Sequence, residues 1–166
     1  MNIVTTFIAT TFTQIRDDRI APDAWASSKI VIRKKDIKLT DDDEPSHFRM
    51  ISLTMNIRKL YHTIEASRAL QFMLSNNYLD PTAQKAYVDG VNGCVEHIPV
   101  VQEVIQHAKI KKKTANITWF DLKDAFRSVP FALIPHAFSD YHKLKSVVTY
   151  IASLYSKLEG TIFTKE

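Results

Sequence analysis

One stretch says the most about this chain: Thr118-Trp119-Phe120-Asp121-Leu122-Lys123-Asp124-Ala125-Phe126-Arg127-Ser128-Val129-Pro130. The residues that lead into it alternate as strand residues do, so the pattern predicts a strand over 115–121 that ends at Asp121. A short helix is expected to follow. A carboxylate at a strand end is held rigidly enough to bind a divalent metal ion, but it can equally cap the next helix. The pattern by itself leaves both roles open for Asp121.

The composition predicts a globular domain built from helices and a modest sheet, which is an α+β fold. The chain has 166 residues, of which 45% are hydrophobic and 24% are charged, a balance typical of soluble globular proteins and unlike that of disordered chains. It contains only 3 glycines. A turn-rich all-β fold or a glycine-lined nucleotide site therefore has too little material to form.

Charge and cysteine content narrow the choice of partners and sites. The net charge of +4 and the sequence pI of about 9.1 suit a nucleic-acid partner, because neutralised phosphates release counterions. The single cysteine, Cys94, excludes an internal disulfide and a thiolate-rich zinc site, and it is compatible with an intracellular location in the nucleus or cytoplasm. We expect no membrane partner, because no apolar run approaches the length that crosses a bilayer.

The first part of the chain predicts a lead-in followed by a hairpin. Residues 1–20 form a threonine-rich lead-in of uncertain structure, and the Pro22-Asp23 step after it predicts a turn or a helix start. The segments 28–35 and 48–53 are rich in β-branched and apolar residues and predict two paired strands. The acidic residues between them, 40–46, predict a solvated connection, since they lack the spaced ligands and central glycine of a calcium loop.

Three helices are predicted from apolar residues that recur at helical spacing. The first covers 56–74 and ends near Asn76-Asn77. Proline is tolerated only in the first turn of a helix, so the second helix is expected to have Pro99 in that turn. Gly160 is expected to end the third helix. The stripe of the second helix is Cys94, Ile98, Val101, Ile105 and Ala108, and its basic end is Lys109, Lys111, Lys112 and Lys113. The stripe of the third is Leu144, Val147, Val148, Ile151, Leu154, Tyr155 and Leu158.

The stretch from Phe120 to Pro130 resembles the first palm motif of the reverse transcriptases of non-LTR retrotransposons. In that motif an apolar strand, an aspartate, a leucine, two variable residues, an alanine, an aromatic residue and a serine-valine step follow one another, as they do here. The resemblance implies that Asp121 binds the catalytic metal ions, assisted by the Leu122 carbonyl. It also implies that Phe126 is the steric gate beside the sugar of the incoming nucleotide.

Upstream segments resemble the fingers motifs of the same family in order and spacing. Residues 25–34 resemble the first fingers strand, whose terminal lysine is Lys34 or Lys35 here. Residues 48–53 resemble the next motif, which implies that Arg49 meets the template backbone or the nucleotide triphosphate. Further matches are Lys59-Leu60-Tyr61, Arg68, Gln84-Lys85-Ala86-Tyr87 and Val91-Asn92-Gly93-Cys94-Val95-Glu96-His97. Departures from the family pattern are Met50, Ala86, Arg127 and Phe131.

The resemblance implies both an organisation and a parent activity. Residues 21–166 would form a truncated reverse transcriptase domain of the right-hand polymerase type, helix-rich with short antiparallel strands. The fingers would cover about 21–113 and the start of the palm about 114–166. The parent activity is RNA-directed DNA synthesis, a nucleotidyl transfer that uses Mg²⁺, an RNA or DNA template–primer and deoxynucleoside triphosphates.

The chain by itself is nevertheless expected to be inactive as a polymerase. Residues 122–166 contain no adjacent pair of acidic residues, and one carboxylate is a poor holder for two metal ions, so we expect no stable Mg²⁺ binding. Arg127 would further tie Asp121 into a salt bridge. An incomplete palm would also expose apolar faces, including part of the 144–158 stripe, and this predicts self-association.

Two other functions remain open. The basic fingers residues would retain sequence-independent affinity for nucleic acid; they are Arg33, Lys34, Lys35 and Arg49. In the second alternative, Asp121 serves an unrelated aspartate-based phosphotransferase. That alternative is disfavoured because Lys123 stands where a second catalytic acid is common in such enzymes.

Overall fold

The computed structural model describes residues 2–35, 44–88, 90–122, 125–138, 141 and 144–163. Within them the chain is a mixture of helices and a small sheet, which confirms the α+β class. The helices are α1 (Ile3–Asp18), α2 (Asp23–Ala26), α3 (Asn56–Ser75), α4 (Cys94–Ile110), α5 (Ala125–Ser128), α6 (Leu133–Phe138) and α7 (Lys145–Tyr155). The strands are β1 (Ser27–Lys34), β2 (Phe48–Leu53) and β3 (Glu159–Ile162).

The chain divides into two compact units. The first consists of residues 1–65 and 129–166, and the second of residues 66–128. Helix α3 begins in the first unit and ends in the second. The predicted boundary between fingers and palm, near residue 113, falls inside the second unit.

A helix, α1, forms in the lead-in whose structure the sequence leaves uncertain. The Val4 N–H donates to the Asn2 side chain at 3.1 Å, which caps the start of α1. The threonines do not break the helix, because hydroxyls such as Thr11 Oγ1 donate to the carbonyl one turn earlier. Phe12 and Ile15 face the core of the first unit. Tertiary packing of this face therefore outweighs the weak helix propensity of β-branched residues.

The sheet has the strand order β2-β1-β3. Strands β1 and β2 pair antiparallel, as predicted, with Lys29 opposite Leu53 and Lys34 opposite Phe48. The parallel pairing of β3 with β1 was not predicted. Gly160 lies in β3 and does not stop the preceding helix, which ends at Tyr155. A Cβ at position 160 would collide with the end of the Ile30 side chain, so glycine leaves room for that side chain beside β3.

The three predicted helices form, with one correction. Helix α3 ends before Asn76-Asn77, and α4 covers the stripe from residue 94 onward. Pro99 lies inside α4 beyond its first turn, so the prediction that it is tolerated only there is wrong. Proline at this position leaves the Val95 carbonyl without its usual helical donor. No helix in the described ranges is both long and apolar enough to cross a membrane.

The core of the first unit is an aromatic cluster where α1, α2, α3 and α7 meet. Tyr61 is 1% exposed and is the largest fully buried side chain among the described residues. Its ring lies 5.2 Å from Phe12, 5.3 Å from Trp25 and 5.1 Å from Tyr150, measured between centroids. The rest of the cluster is Ile15, Ala21 and Leu154. Of the 144–158 stripe, Ile151, Leu154 and Leu158 pack in or against this core, and the other stripe residues are buried or half-buried. The predicted self-association stays a prediction.

Acidification is expected to destabilise this core through His62. Its Nε2 lies 2.9 Å from the Tyr150 hydroxyl. Burial, together with the nearby Arg58 guanidinium, holds the pKa of His62 below its ordinary value of 6.5. The unfolded chain then binds a proton more readily than the folded chain does. The free energy of unfolding should therefore be constant above pH 6.5 and fall as the pH drops from there toward the folded-state pKa.

Urea unfolding followed by circular dichroism at several pH values between about 5 and 8 measures this dependence. The Tyr150 hydroxyl can donate to His62 or accept from it, so the penalty on the protonated imidazole comes from its burial and from the Arg58 charge. His62→Gln keeps a side-chain acceptor and should flatten the dependence. If the free energy of unfolding of His62→Gln depends on pH as steeply as that of the unsubstituted chain, another group causes the dependence.

The second unit contains the end of α3, the connection 76–93, α4, the segment 111–122 and α5. Gly93 caps α4 with φ 59° and ψ −128°, a conformation that only glycine adopts readily. Glu96, in the first turn of α4, accepts from the Asn92 N–H at 3.1 Å and pairs with Lys85 at 2.9 Å. These contacts fix the start of α4.

Candidate nucleic-acid interface

The register of the hairpin sets two arginines directly opposite each other. Arg33 of β1 pairs with Arg49 of β2, and both side chains are exposed. The Lys35 N–H donates to the His47 carbonyl at 2.8 Å, so the ladder continues one step beyond β1. Opposite residues in such a pair have Cβ atoms about 5 Å apart and project on the same face. The two guanidinium groups can therefore reach the same ligand.

A pair of like charges opposite each other lowers the stability of a hairpin. Cross-strand pairs of opposite charge contribute roughly 0.2–1 kcal/mol, and like charges cost a comparable amount. A phosphate between the two guanidinium groups would turn this repulsion into attraction, because each group can donate two hydrogen bonds to it. The pair is thus better suited to holding an anion than to stabilising the fold.

Strand alternation decides which other cations share this face. Lys29 and Lys35 lie at even intervals from Arg33 and project on its side of the sheet, whereas Lys34 pairs with Phe48 on the other side. The sequence interpretation groups Lys34 with Arg49, whereas the register places these two side chains on opposite faces of the sheet. Lys29 was missed in the sequence, although counting by two from Arg33 would have found it. The set Lys29, Arg33, Lys35 and Arg49 is called the basic face below.

Positive and negative charges are unevenly distributed along the basic face. Among the described residues of the three strands, the acid on the same side is Glu159, which pairs with Ser27 six residues from Arg33 along β1. At about 3.3 Å per residue this is roughly 20 Å away, beyond the screening length in physiological salt. Near the middle of the face, Lys29 Nζ lies 5.1 Å from the centroid of the Phe163 ring. Among the described strand residues, the basic ones are therefore concentrated toward the end with Arg33 and Arg49.

Asp121 lies on an exposed, irregular segment of the second unit. Residues 113–122 form no strand, so the prediction of a strand over 115–121 is wrong. A strand needs a neighbour whose backbone completes its hydrogen bonds, and no described residue pairs with this segment. The adjacent side chains Phe120 and Leu122 are 93% and 74% exposed. The short helix expected after Asp121 does form, as α5.

The described surroundings of Asp121 do not fit a magnesium site. No group of three or more histidine, cysteine or acidic side chains comes together in the described ranges. Two-metal phosphoryl transfer needs several oxygen ligands on rigid elements, and the single carboxylate of Asp121 with the Leu122 carbonyl does not supply them. We therefore derive no step that involves a metal ion.

Several residues named from the sequence lie outside what the structure describes. They are Lys123 and Asp124, the side chains of Phe126 and Arg127, and the acidic connection at 40–43. The steric-gate role of Phe126 and the salt bridge between Arg127 and Asp121 thus stay predictions. The basic face and Asp121 belong to different units, and each is described within its own unit.

The chain matches no protein-family model, and neither a curated protein nor a solved structure is significantly similar to it. The family hypothesis therefore depends on the motifs themselves, and the basic face is an independent observation.

Proposed function

We propose that this chain is part of a reverse transcriptase of the non-LTR retrotransposon type, and that its first unit binds nucleic acid through the basic face. The ordered series of fingers and palm motifs supports the family, including its right-hand polymerase fold. The observation that carries the binding function is the pairing of Arg33 with Arg49. The isolated 166-residue chain is proposed to bind without polymerising.

The arrangement of the basic face favours a phosphodiester backbone as its ligand. Four cations project from two adjacent strands, and the closest pair can grip a single phosphate from two sides. None of these contacts depends on a base, so the proposed binding is independent of sequence. Single-stranded RNA is the first choice of probe, because a flexible backbone can follow the strands.

A salt titration of single-stranded RNA binding tests this function. If all four cations contact phosphates, log K should fall with log[salt] with a slope of about −3, since each contact contributes about −0.7. Fluorescence anisotropy of a labelled oligonucleotide of mixed sequence measures the slope. A second oligonucleotide of the same length and different sequence should bind equally. Absence of binding even at low salt would contradict the proposal.

Primer extension tests the proposed lack of polymerase activity. With an RNA template, a DNA primer, deoxynucleoside triphosphates and Mg²⁺, the isolated chain is expected to add no nucleotide, because no group of three or more metal-binding side chains comes together among the described residues. Asp121→Asn should then leave RNA binding unchanged. Incorporation by the chain that disappears in Asp121→Asn would refute the proposal and identify an intact active site. The same variant tests a phosphotransferase, with a phosphate ester as substrate.

The family assignment has a separate test. The nucleotide sequence downstream of codon 166 should encode an apolar strand that ends in adjacent aspartates, in this reading frame or a shifted one. Its absence would weaken the assignment to a retroelement and would leave the binding function untouched.

A further inference from the structure

The cations of the basic face enclose apolar side chains. Val31 pairs with Ile51, and this pair lies between Lys29 at one end of the face and the opposed arginines at the other. Strand alternation directs Val31 and Ile51 to the same side of the sheet as these cations. Each of the two side chains is 40% exposed. The centre of the face is therefore apolar surface with positive charge on both sides of it.

An aromatic ring extends this apolar surface onto the third strand. Phe163 follows β3 directly, and its N–H donates to the Ile30 carbonyl at 3.3 Å, so the parallel ladder continues one step beyond β3. That step places Phe163 next to Val31. The contact between Lys29 and the Phe163 ring confirms that the ring lies on the cationic side. The set Phe163, Val31 and Ile51 is called the apolar row below.

The ring of Phe163 is open to a ligand. Phe163 is 55% exposed, so the described part of the first unit leaves room against it. Proteins that hold single-stranded nucleic acid combine cations that follow the backbone with aromatic rings on which the bases stack. In a duplex the bases stack on one another, so their faces are not available to a ring on a sheet. The apolar row and the cations around it match the requirements of an unpaired strand.

We propose that the apolar row is a subsite for an unpaired base, which stacks on Phe163 while neighbouring phosphates bind the cations of the basic face. This proposal rests on the binding function proposed above and makes its ligand a single strand in preference to a duplex. Cations on both sides of the row favour a ligand that carries negative charge on both sides of an apolar group. A nucleotide strand has this chemistry, because every base has a π face between charged phosphates.

The dimensions of the face suit a strand that crosses it. Lys29 and Arg33 are four residues apart on β1, which is about 13 Å at about 3.3 Å per residue, and Val31 lies midway between them. A flexible single strand can therefore contact cations on both sides of the row while one of its bases reaches the ring. Stacking accepts any base, so the subsite agrees with binding that is independent of sequence.

Substitution of the ring tests the subsite in the full chain. Phe163→Ala is expected to weaken binding of single-stranded RNA about 5- to 100-fold, measured by fluorescence anisotropy. The slope of log K against log[salt] should stay unchanged, because a stacked base releases no counterion. Ile162→Ala is the matched control, since Ile162 is the adjacent residue, is 51% exposed and projects from the opposite side of the sheet. Its affinity should equal that of the unsubstituted chain.

A strand without bases tests the contact from the side of the ligand. An abasic strand of the same length carries the same phosphates, so Phe163→Ala and the unsubstituted chain should bind it equally, and both should also bind an RNA duplex equally. This double comparison isolates the contact between ring and base. Equal losses with all three ligands would overturn the proposal, because the ring would then support the sheet and not contact a base.

The binding function and the base subsite can fail separately. If Phe163→Ala binds single-stranded RNA as tightly as the unsubstituted chain while Arg33→Ala/Arg49→Ala binds it more weakly, the base subsite is overturned and the binding function stands. If the unsubstituted chain binds no RNA at low salt, both are overturned.

Phe163→Trp provides a readout that does not require a loss of affinity. The indole keeps an aromatic face, so this variant should bind single-stranded RNA at least as tightly as the unsubstituted chain. A stacked base quenches indole fluorescence, and single-stranded RNA should therefore quench the added tryptophan, whereas the abasic strand should not. The unsubstituted chain supplies the background of Trp25 and Trp119. Unchanged fluorescence of the added tryptophan in the RNA complex would overturn the base subsite.

Discussion

Replacing Tyr61 with alanine is expected to lower the free energy of unfolding of the first unit by about 3–5 kcal/mol. Tyr61 is 1% exposed and touches helices from both ends of the sequence through Phe12, Trp25 and Tyr150. Its removal leaves a cavity that these rings cannot fill without leaving their own contacts. Urea unfolding followed by circular dichroism measures the loss.

The expected loss of stability in Tyr61→Ala has two components. Truncation of a buried aromatic side chain loses its transfer free energy and leaves a cavity, and each tilted or edge-on ring pair contributes about 0.5–1.5 kcal/mol beyond the area it buries. Tyr61→Phe removes only the hydroxyl group and keeps the ring and its packing, so it measures the contribution of the hydroxyl to stability by itself. We expect Tyr61→Phe to cost much less than Tyr61→Ala.

The matched control is Phe7→Ala on α1, in the same unit. Phe7 is 70% exposed, so its truncation should change the free energy of unfolding by no more than about 0.5 kcal/mol. A small effect of Tyr61→Ala, similar to that of Phe7→Ala, would contradict the aromatic core described for this unit.

The parts of the fold that follow from local patterns are predictable from the sequence. Helix α4 and the hairpin of β1 and β2 have clear periodicities, and both form. Helix α1 is not predictable in this way, because its threonines favour other conformations until Phe12 and Ile15 pack on the core. The pairing of β3 with β1 joins residues about 130 positions apart, and no local pattern encodes such a contact.

The candidate site shows the same division between local and non-local information. Counting by two along β1 is enough to group Lys29 with Arg33, because alternate strand residues share a face. The partner of Arg33 depends on the register set by the connection between the strands, so Arg49 could not be assigned from spacing alone. The strand predicted to end at Asp121 has the right alternation but no described neighbour, and alternation without a partner does not make a strand.

Replacing both arginines of the basic face with alanine is expected to weaken binding of single-stranded RNA on the order of 10- to 100-fold at about 0.1 M salt, through the loss of two charge-assisted phosphate contacts. The slope of log K against log[salt] should also become shallower by about 1.4, which is 0.7 for each contact. Fluorescence anisotropy of Arg33→Ala/Arg49→Ala against the unsubstituted chain measures both quantities.

The control that matches this variant in charge is Lys59→Ala/Lys145→Ala, which removes two exposed cations from α3 and α7 of the same unit. If net charge alone governs binding, the two variants will lose affinity equally, and the basic face is then not the site. The stability of Arg33→Ala/Arg49→Ala distinguishes a loss of binding from a loss of folding. Removal of two like charges that face each other should leave the hairpin as stable as the unsubstituted one or slightly more so. Lower affinity at undiminished stability is the result that only a binding role for Arg33 and Arg49 explains.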